Sequence, residues 1–138
     1  MIKILVVEDS EIVRKGITKL LRAQGDMDVI GDASNGQEGL ELIQKGLLPD
    51  IVLADLNMPG MNGIDLTRRI VGFQQNTIKV IVLTMHIKKS FINEALSAGA
   101  KGYIFKGGDF EELYDAIRQV HKGKTFVSST TSGLHVTN

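Results

Sequence analysis

The chain has 138 residues, of which 43% are hydrophobic and 23% charged, a composition that suits one soluble globular domain with a core of its own. Its 16 Lys and Arg balance 16 Asp and Glu, so there is no basic footprint for nucleic acid, and DNA binding by this chain itself is not expected. The absence of Cys excludes a disulfide scaffold and a thiolate metal site.

The chain opens on "MIKILVVEDS", whose apolar run is too short for a signal sequence. No later stretch approaches the roughly 18 apolar residues of a membrane span, and the expected location is the cytoplasm. Ile2–Val7 reads as a buried strand, because it is short, apolar and β-branched without alternation. Glu8 and Asp9 follow it, and Ser10 is a candidate N-cap for a helix that places Val13, Ile17, Leu20 and Leu21 on one face. Val29–Ala33 reads as an edge strand. Ile51–Ala54 is a second buried run and stops at Asp55, before a turn shaped by Pro59, Gly60 and Gly63. Leu66, Ile70 and Phe73 then share a helical face. Ile78–Leu83 is a third buried run and ends at Thr84; Ser90 is a candidate cap for the next helix. Gly102–Phe105 leads to Lys106, and Asp109 caps a helix whose apolar face is Phe110, Leu113, Ile117 and Val120. The remainder, "KGKTFVSSTTSGLHVTN", is rich in Ser, Thr and Gly without helical period. Residues 1–122 are therefore expected to form the domain, and 123–138 a flexible tail or truncated linker.

Strand and helix alternate five times, which predicts a parallel sheet covered by helices on both faces and joined by right-handed crossovers. Such sheets bind ligands beyond the carboxyl ends of their strands. Glu8, Asp9, Asp55, Thr84 and Lys106 stand at those ends. Taken singly, each has an ordinary reading: a cap, a solvated loop acid, a turn hydroxyl, a surface lysine. Their shared position in one topology favours a common site. Three carboxylates raise one another's pKa, and a hard divalent cation such as Mg²⁺ relieves that repulsion with oxygen ligands. A cation, an amine and a hydroxyl together suit phosphoryl transfer, with Asp55 as the nucleophile that becomes an acyl phosphate. Other motifs carry less. "GKT" at Gly123–Thr125 lacks the glycine that a phosphate-binding loop requires at Arg118, and His86, His121 and His135 have no metal-ligand spacing.

"VVEDS", "LADLNMPGMNGIDL", "VLTMH" and "GAKGYIFKG" together resemble the receiver domain of bacterial two-component response regulators, over roughly residues 1–122. The resemblance implies a flavodoxin-like doubly wound (βα)5 sandwich with a five-stranded parallel sheet of order 2-1-3-4-5. It implies Asp55 as phospho-acceptor, Glu8 and Asp9 as the acid pair for Mg²⁺ or Mn²⁺, and the backbone carbonyl of Asn57 as a further ligand. Thr84 is similar to the switch hydroxyl, Lys106 to the amine that pairs with the phosphoryl group, and Tyr103 to the aromatic switch residue that rotates inward. The implied partner is a sensor histidine kinase, and the implied role is signalling, with catalysis limited to the domain's own phosphorylation and dephosphorylation. The "KGGDFEELYDAIRQVHKGKTFVSS" segment resembles the NarL/FixJ subclass, in which a helix-turn-helix output domain follows and controls transcription. A homodimer formed on phosphorylation would use the last helix, through Tyr114 and Arg118. Many receivers carry proline after the lysine; Gly107 and Gly108 stand here, which predicts a looser hold on Lys106. Asn57 and His86 are placed to tune water access to the acceptor. Two rival classes fit less well. A haloacid-dehalogenase-type phosphatase needs a second acid where Asn57 stands, and a flavodoxin-like cofactor binder needs hydroxyls where Glu8 and Asp9 stand.

Overall fold

The computed structural model describes residues 1–74, 77–85 and 88–128. His86 and residues 129–138 of the tail lie outside the described residues. The elements run β1 (Ile2–Val7), α1 (Glu11–Arg22), β2 (Met27–Ala33), α2 (Gly36–Gln44), β3 (Ile51–Asp55), α3 (Gly63–Gln74), β4 (Lys79–Thr84), α4 (Lys89–Ala98), β5 (Gly102–Phe105), α5 (Phe110–His121) and β6 (Phe126–Val127). All strands pair in parallel, in the order β2-β1-β3-β4-β5-β6. The expected five-stranded order is corrected by one edge strand. Phe126 and Val127 lie in the stretch read as tail, yet they pair with Gly102 and Tyr103.

Both faces of the sheet are covered, which is why the strands read as continuous apolar runs. Alternate residues of β1 serve opposite sides. Leu5 and Val7 pack with Leu40 and Ile43 of α2, Leu66 and Ile70 of α3, and Ile92 and Ala95 of α4. Ile4 and Val6 pack with Ile17 and Leu21 of α1 and with Leu113, Ile117 and Val120 of α5. All five residues of β3 are buried, including its terminal Asp55. A strand with no solvent face holds its last side chain in a fixed position relative to its neighbours.

Side-chain caps set the helix starts. Ser10 accepts from the Val13 N–H at 3.3 Å and Asp109 from that of Glu111 at 3.0 Å, as expected. Ser90 is not a cap; it lies inside α4, whose N-cap Lys88 makes no side-chain cap bond. Two Asn residues do the capping elsewhere. Asn35 accepts from the Glu38 N–H, while Glu38 reaches back to the Ser34 N–H, and Asn62 accepts from Ile64 and Asp65. Phe73 and Phe110, read as members of buried stripes, are half exposed because they sit at the outer ends of α3 and α5. Tyr114 is buried in the core, and the Arg118 guanidinium is bonded to Asp26 at 2.9 Å and to Gln24 at 3.0 Å. Tyr114, expected on a dimer face of α5, is thus buried, whereas Arg118 stays part exposed while it ties α5 to the turn before β2.

Candidate functional site

The carboxyl ends of β1, β3, β4 and β5 meet at one edge of the sheet. Glu8 follows β1 and is 2% exposed. One of its carboxylate oxygens accepts from the Lys106 ammonium at 2.7 Å, and the other from the Ser10 N–H at 3.0 Å. Asp9, next in the chain, is exposed. Asp55 is the last residue of β3 and is 5% exposed. Its carboxylate accepts from the Asn57 N–H at 3.3 Å and lies 3.6 Å from the Lys106 ammonium. Glu8, Asp9 and Asp55 each offer an oxygen within 4.8 Å of the others. Thr84 closes β4, fully buried, and its carbonyl accepts from the Lys106 N–H at 2.7 Å. Tyr103 of β5 is also fully buried and is hydrogen-bonded to Thr84.

The structure thus brings together the predicted residues Glu8, Asp9, Asp55 and Lys106 around one point, with Thr84 and Tyr103 behind them. Asn57 contributes its N–H to Asp55, and its side chain is exposed. The peptide after Lys106 is trans, and the lysine spans the two buried acids rather than swinging in solvent. A side chain at position 107 would meet the Phe105 ring at 2.8 Å, which explains a glycine there. No role for Arg14 was legible in the sequence. Its guanidinium donates to the Glu8 carbonyl at 2.7 Å and lies 3.6 Å from Asp32. The signal was available only as a single basic residue one turn into the helix that follows the acids.

Electrostatics follow from this geometry. Burial, joined by the negative charge of Glu8, pushes the Asp55 carboxyl up to about 6, against the pull of Lys106 and the Asn57 N–H. Burial works to lower the Lys106 pKa, but the hydrogen bond to Glu8 and the charge of Asp55 outweigh it and raise it overall. Burial raises the Tyr103 phenol despite its bond with Thr84. At neutral pH the site therefore holds a mostly ionised, poorly hydrated carboxylate beside a fixed ammonium. Such a carboxylate can act as a nucleophile, and its three-acid cluster suits a hard divalent cation.

Gly63 is what lets the loop after Asp55 close. A β-carbon at 63 would stand 2.6 Å from the Asp55 carbonyl oxygen and 3.0 Å from its carbon, both backbone atoms that cannot step aside cheaply. Gly63→Ala is expected to cost about 1–3 kcal/mol of stability and to displace Asp55 from Lys106. Urea unfolding of the two proteins side by side measures the first effect.

The family model described as the response regulator receiver domain matches residues 4–118. The chain is 42% identical over 128 residues to the response regulator GacA of Pseudomonas aeruginosa, which covers 93% of this chain and 59% of that protein. It is 41% identical over 133 residues to the transcriptional regulatory protein LiaR of Bacillus subtilis, covering 96% and 62%. The chain therefore spans about three fifths of the length of these curated relatives. Among solved structures, a LuxR-family two-component response regulator from Aurantimonas sp. SI85-9A1 superposes with a TM-score of 0.90 at 33% identity, over 95% of this chain and 92% of that one.

Proposed function

The chain belongs to the response regulator receiver domain family, and from that premise we propose that Asp55 accepts a phosphoryl group from the phosphohistidine of a sensor kinase. The domain is a signalling domain of the LuxR/NarL kind rather than a metabolic enzyme. In the reaction we propose, an Asp55 oxygen forms a bond to phosphorus as the phosphorus–nitrogen bond breaks. The imidazole leaves with the electron pair and recovers its proton from water. The single observation that carries this reading is the position of Asp55: a buried carboxylate at the end of a fully buried strand, 3.6 Å from the Lys106 ammonium and clustered with two further acids.

The donor set fits Mg²⁺. Three carboxylates that crowd one another, one of them with its pKa raised by burial and then by its neighbour, form the environment that a divalent cation relieves. Glu8, Asp9 and Asp55 would hold it, with the Asn57 carbonyl as a further ligand, and Mn²⁺ suits the same oxygens. When bound, the cation supplies positive charge to the phosphoryl oxygens and lowers the repulsion among the acids. The rest falls to the chain. Lys106 pairs with an oxygen of the new phosphoryl group, and Thr84 turns its hydroxyl toward another. Burial of Asp55 keeps bulk water from the acyl phosphate. The change at Thr84 biases a two-state equilibrium of the β4–β5 face; Tyr103, expected to rotate inward, is already buried beside Thr84, so its part is to be held there more tightly. Similarity to the transcriptional regulatory protein LiaR supports an output in transcription, which we place in a helix-turn-helix domain following the receiver, and we place the whole in the cytoplasm. Among the described residues no helix is long and apolar enough to cross a membrane.

Two measurements test this reading. Incubation with acetyl phosphate and Mg²⁺ should give one band retarded on phosphate-affinity electrophoresis, and hydroxylamine should discharge it, as it does an acyl phosphate. A chain that stays unretarded overturns the proposal. Mg²⁺ alone should stabilise the fold, by about 2.7 kcal/mol at a hundred times its dissociation constant. Asp9→Asn should lose most of that gain in a thermal-shift titration with MgCl₂.

A further inference from the structure

We propose that strand β6 is a positioning element of the Asp55 site, holding Tyr103 in its inward place from the far edge of the sheet. The inference about Tyr103 and β6 stands on geometry alone; its extension to signalling rests on the proposed phosphorylation of Asp55.

Four observations converge on three residues. The Phe126 N–H donates to the Lys101 carbonyl at 2.9 Å, and the Ser128 N–H to the Tyr103 carbonyl at 2.8 Å. These bonds bracket the pairing of Val127 with Tyr103. Val127 packs against the apolar cluster that contains Tyr103, and Phe126 against the cluster on the other side of the sheet. Ser128 is fully buried, and its hydroxyl is bonded to the Glu112 carboxylate of α5.

The consequence is mechanical. β5 has four residues, and its register with β4 places Tyr103 opposite Val82 and Phe105 opposite Thr84. A four-residue strand at the edge of a sheet frays readily, because half of its backbone groups face solvent. β6 supplies partners for that edge, and one of its bonds falls on Tyr103 itself. Tyr103 in turn is hydrogen-bonded to Thr84, and the Thr84 carbonyl receives the Lys106 N–H. The path from Asp55 to Ser128 thus runs Lys106, Thr84, Tyr103, β6, with an ion pair at 3.6 Å as its first step and hydrogen bonds after it. A phosphoryl group that engages the Thr84 hydroxyl fixes the end of β4 and, through it, the strand on which β6 is seated. Coupling of this kind is reciprocal: what tightens the site tightens β6, and what releases β6 loosens Tyr103.

The chain has no Trp and two Tyr, so Tyr114→Phe leaves Tyr103 as the single emitting ring. In that background, Ser128→Pro deletes the N–H given to Tyr103 while keeping the core side chains. Proline also favours extended backbone at Val127, which the strand already has. The expected result is an acrylamide quenching constant for Tyr103 raised by at least about threefold, with far-UV circular dichroism unchanged, since a local opening exposes the ring without global unfolding. Val127→Asp should do the same by a different route, and Ser128→Ala, which keeps the N–H, should change quenching least. Equal quenching in all four proteins overturns the proposal. The extension is read by amide hydrogen exchange. Acetyl phosphate with Mg²⁺ should slow exchange at the Ser128 N–H in the unsubstituted chain and leave it unchanged in Asp55→Asn. If electrophoresis shows the phosphoryl group on Asp55 and Ser128 exchange does not move, the coupling is refuted while the phospho-acceptor reading survives. If no phosphoryl group is found, that reading fails and the quenching experiment alone decides the role of β6.

Discussion

Asp55→Asn is expected to abolish the retarded band on phosphate-affinity electrophoresis and, at the same time, to make the protein more stable. The first effect follows from the chemistry: an amide has no anionic oxygen to form the acyl phosphate, and the side chain at the end of β3 is the one carboxylate that Lys106 and the acid pair jointly flank. The second follows from linkage. In the fold the Asp55 carboxyl titrates at about 6 because it is buried next to Glu8, against an ordinary value of 3.8. The folded state therefore keeps this proton over a range in which the unfolded chain has lost it. Well below pH 4 both states are protonated and the group has no effect on stability. Stability then falls as pH rises from about 4 through about 6 and stays lower above that, by about 1–3 kcal/mol. Asn carries no such penalty. Urea titrations in EDTA should find the two proteins alike near pH 4, and the variant more stable by about that amount at pH 8. A variant less stable than the parent at pH 8 would show that Asp55 is held by its partners more than it is strained by its surroundings.

Lys106→Met carries the other large effect. The ammonium lies 2.7 Å from one buried carboxylate and 3.6 Å from another, with 20% of its side chain exposed. Met keeps the length of the stem and removes the charge, so two buried carboxylates face each other without a counterion. Removing one partner of a buried ion pair costs more than the pair itself was worth, about 3 kcal/mol here. The loss should be largest above pH 7 and smaller near pH 4, because the missing cation no longer restrains the upward shift of Asp55. Millimolar Mg²⁺ should return much of it, since the cation takes the place of the ammonium as counterion. Thermal unfolding at both pH values, with and without MgCl₂, gives the comparison. A loss independent of pH and Mg²⁺ would place the role of Lys106 in packing alone.

Much of the site was legible because its residues sit where a strong periodic signal stops. Four of the strands are mostly apolar runs, broken only by Lys3 and Lys79, and a run that ends on Glu8, Asp55, Thr84 or Lys106 announces its end. The parallel topology then brings those ends together without any tertiary knowledge. β6 was not legible for the opposite reason. Two apolar residues in a Ser- and Thr-rich stretch have no period. They become a strand only because the edge of β5 offers backbone partners and because α5 returns the chain there. Arg14 was missed since its partner is a backbone carbonyl, which no side-chain pattern reveals. Phe73 and Phe110 erred the other way. A helical stripe says which side of a helix faces inward and does not say where along the helix the sheet beneath it ends. Ser90 shows the same limit: a good capping residue lies at the second position of a helix that starts without a side-chain cap.

The two flanks of the sheet also decide how the protein behaves among copies of itself. On one flank, β2 carries Asp28 and Asp32, both exposed, and like charges on a bare strand discourage a second molecule from pairing with it. On the other flank β5 has the sequence Gly-Tyr-Ile-Phe, uncharged and apolar, with nothing of its own to repel an approaching strand. Phe126 and Val127 occupy that place first. A chain that ended at α5 would leave these four residues open to pairing between molecules, and the short C-terminal strand is thus also a guard against aggregation.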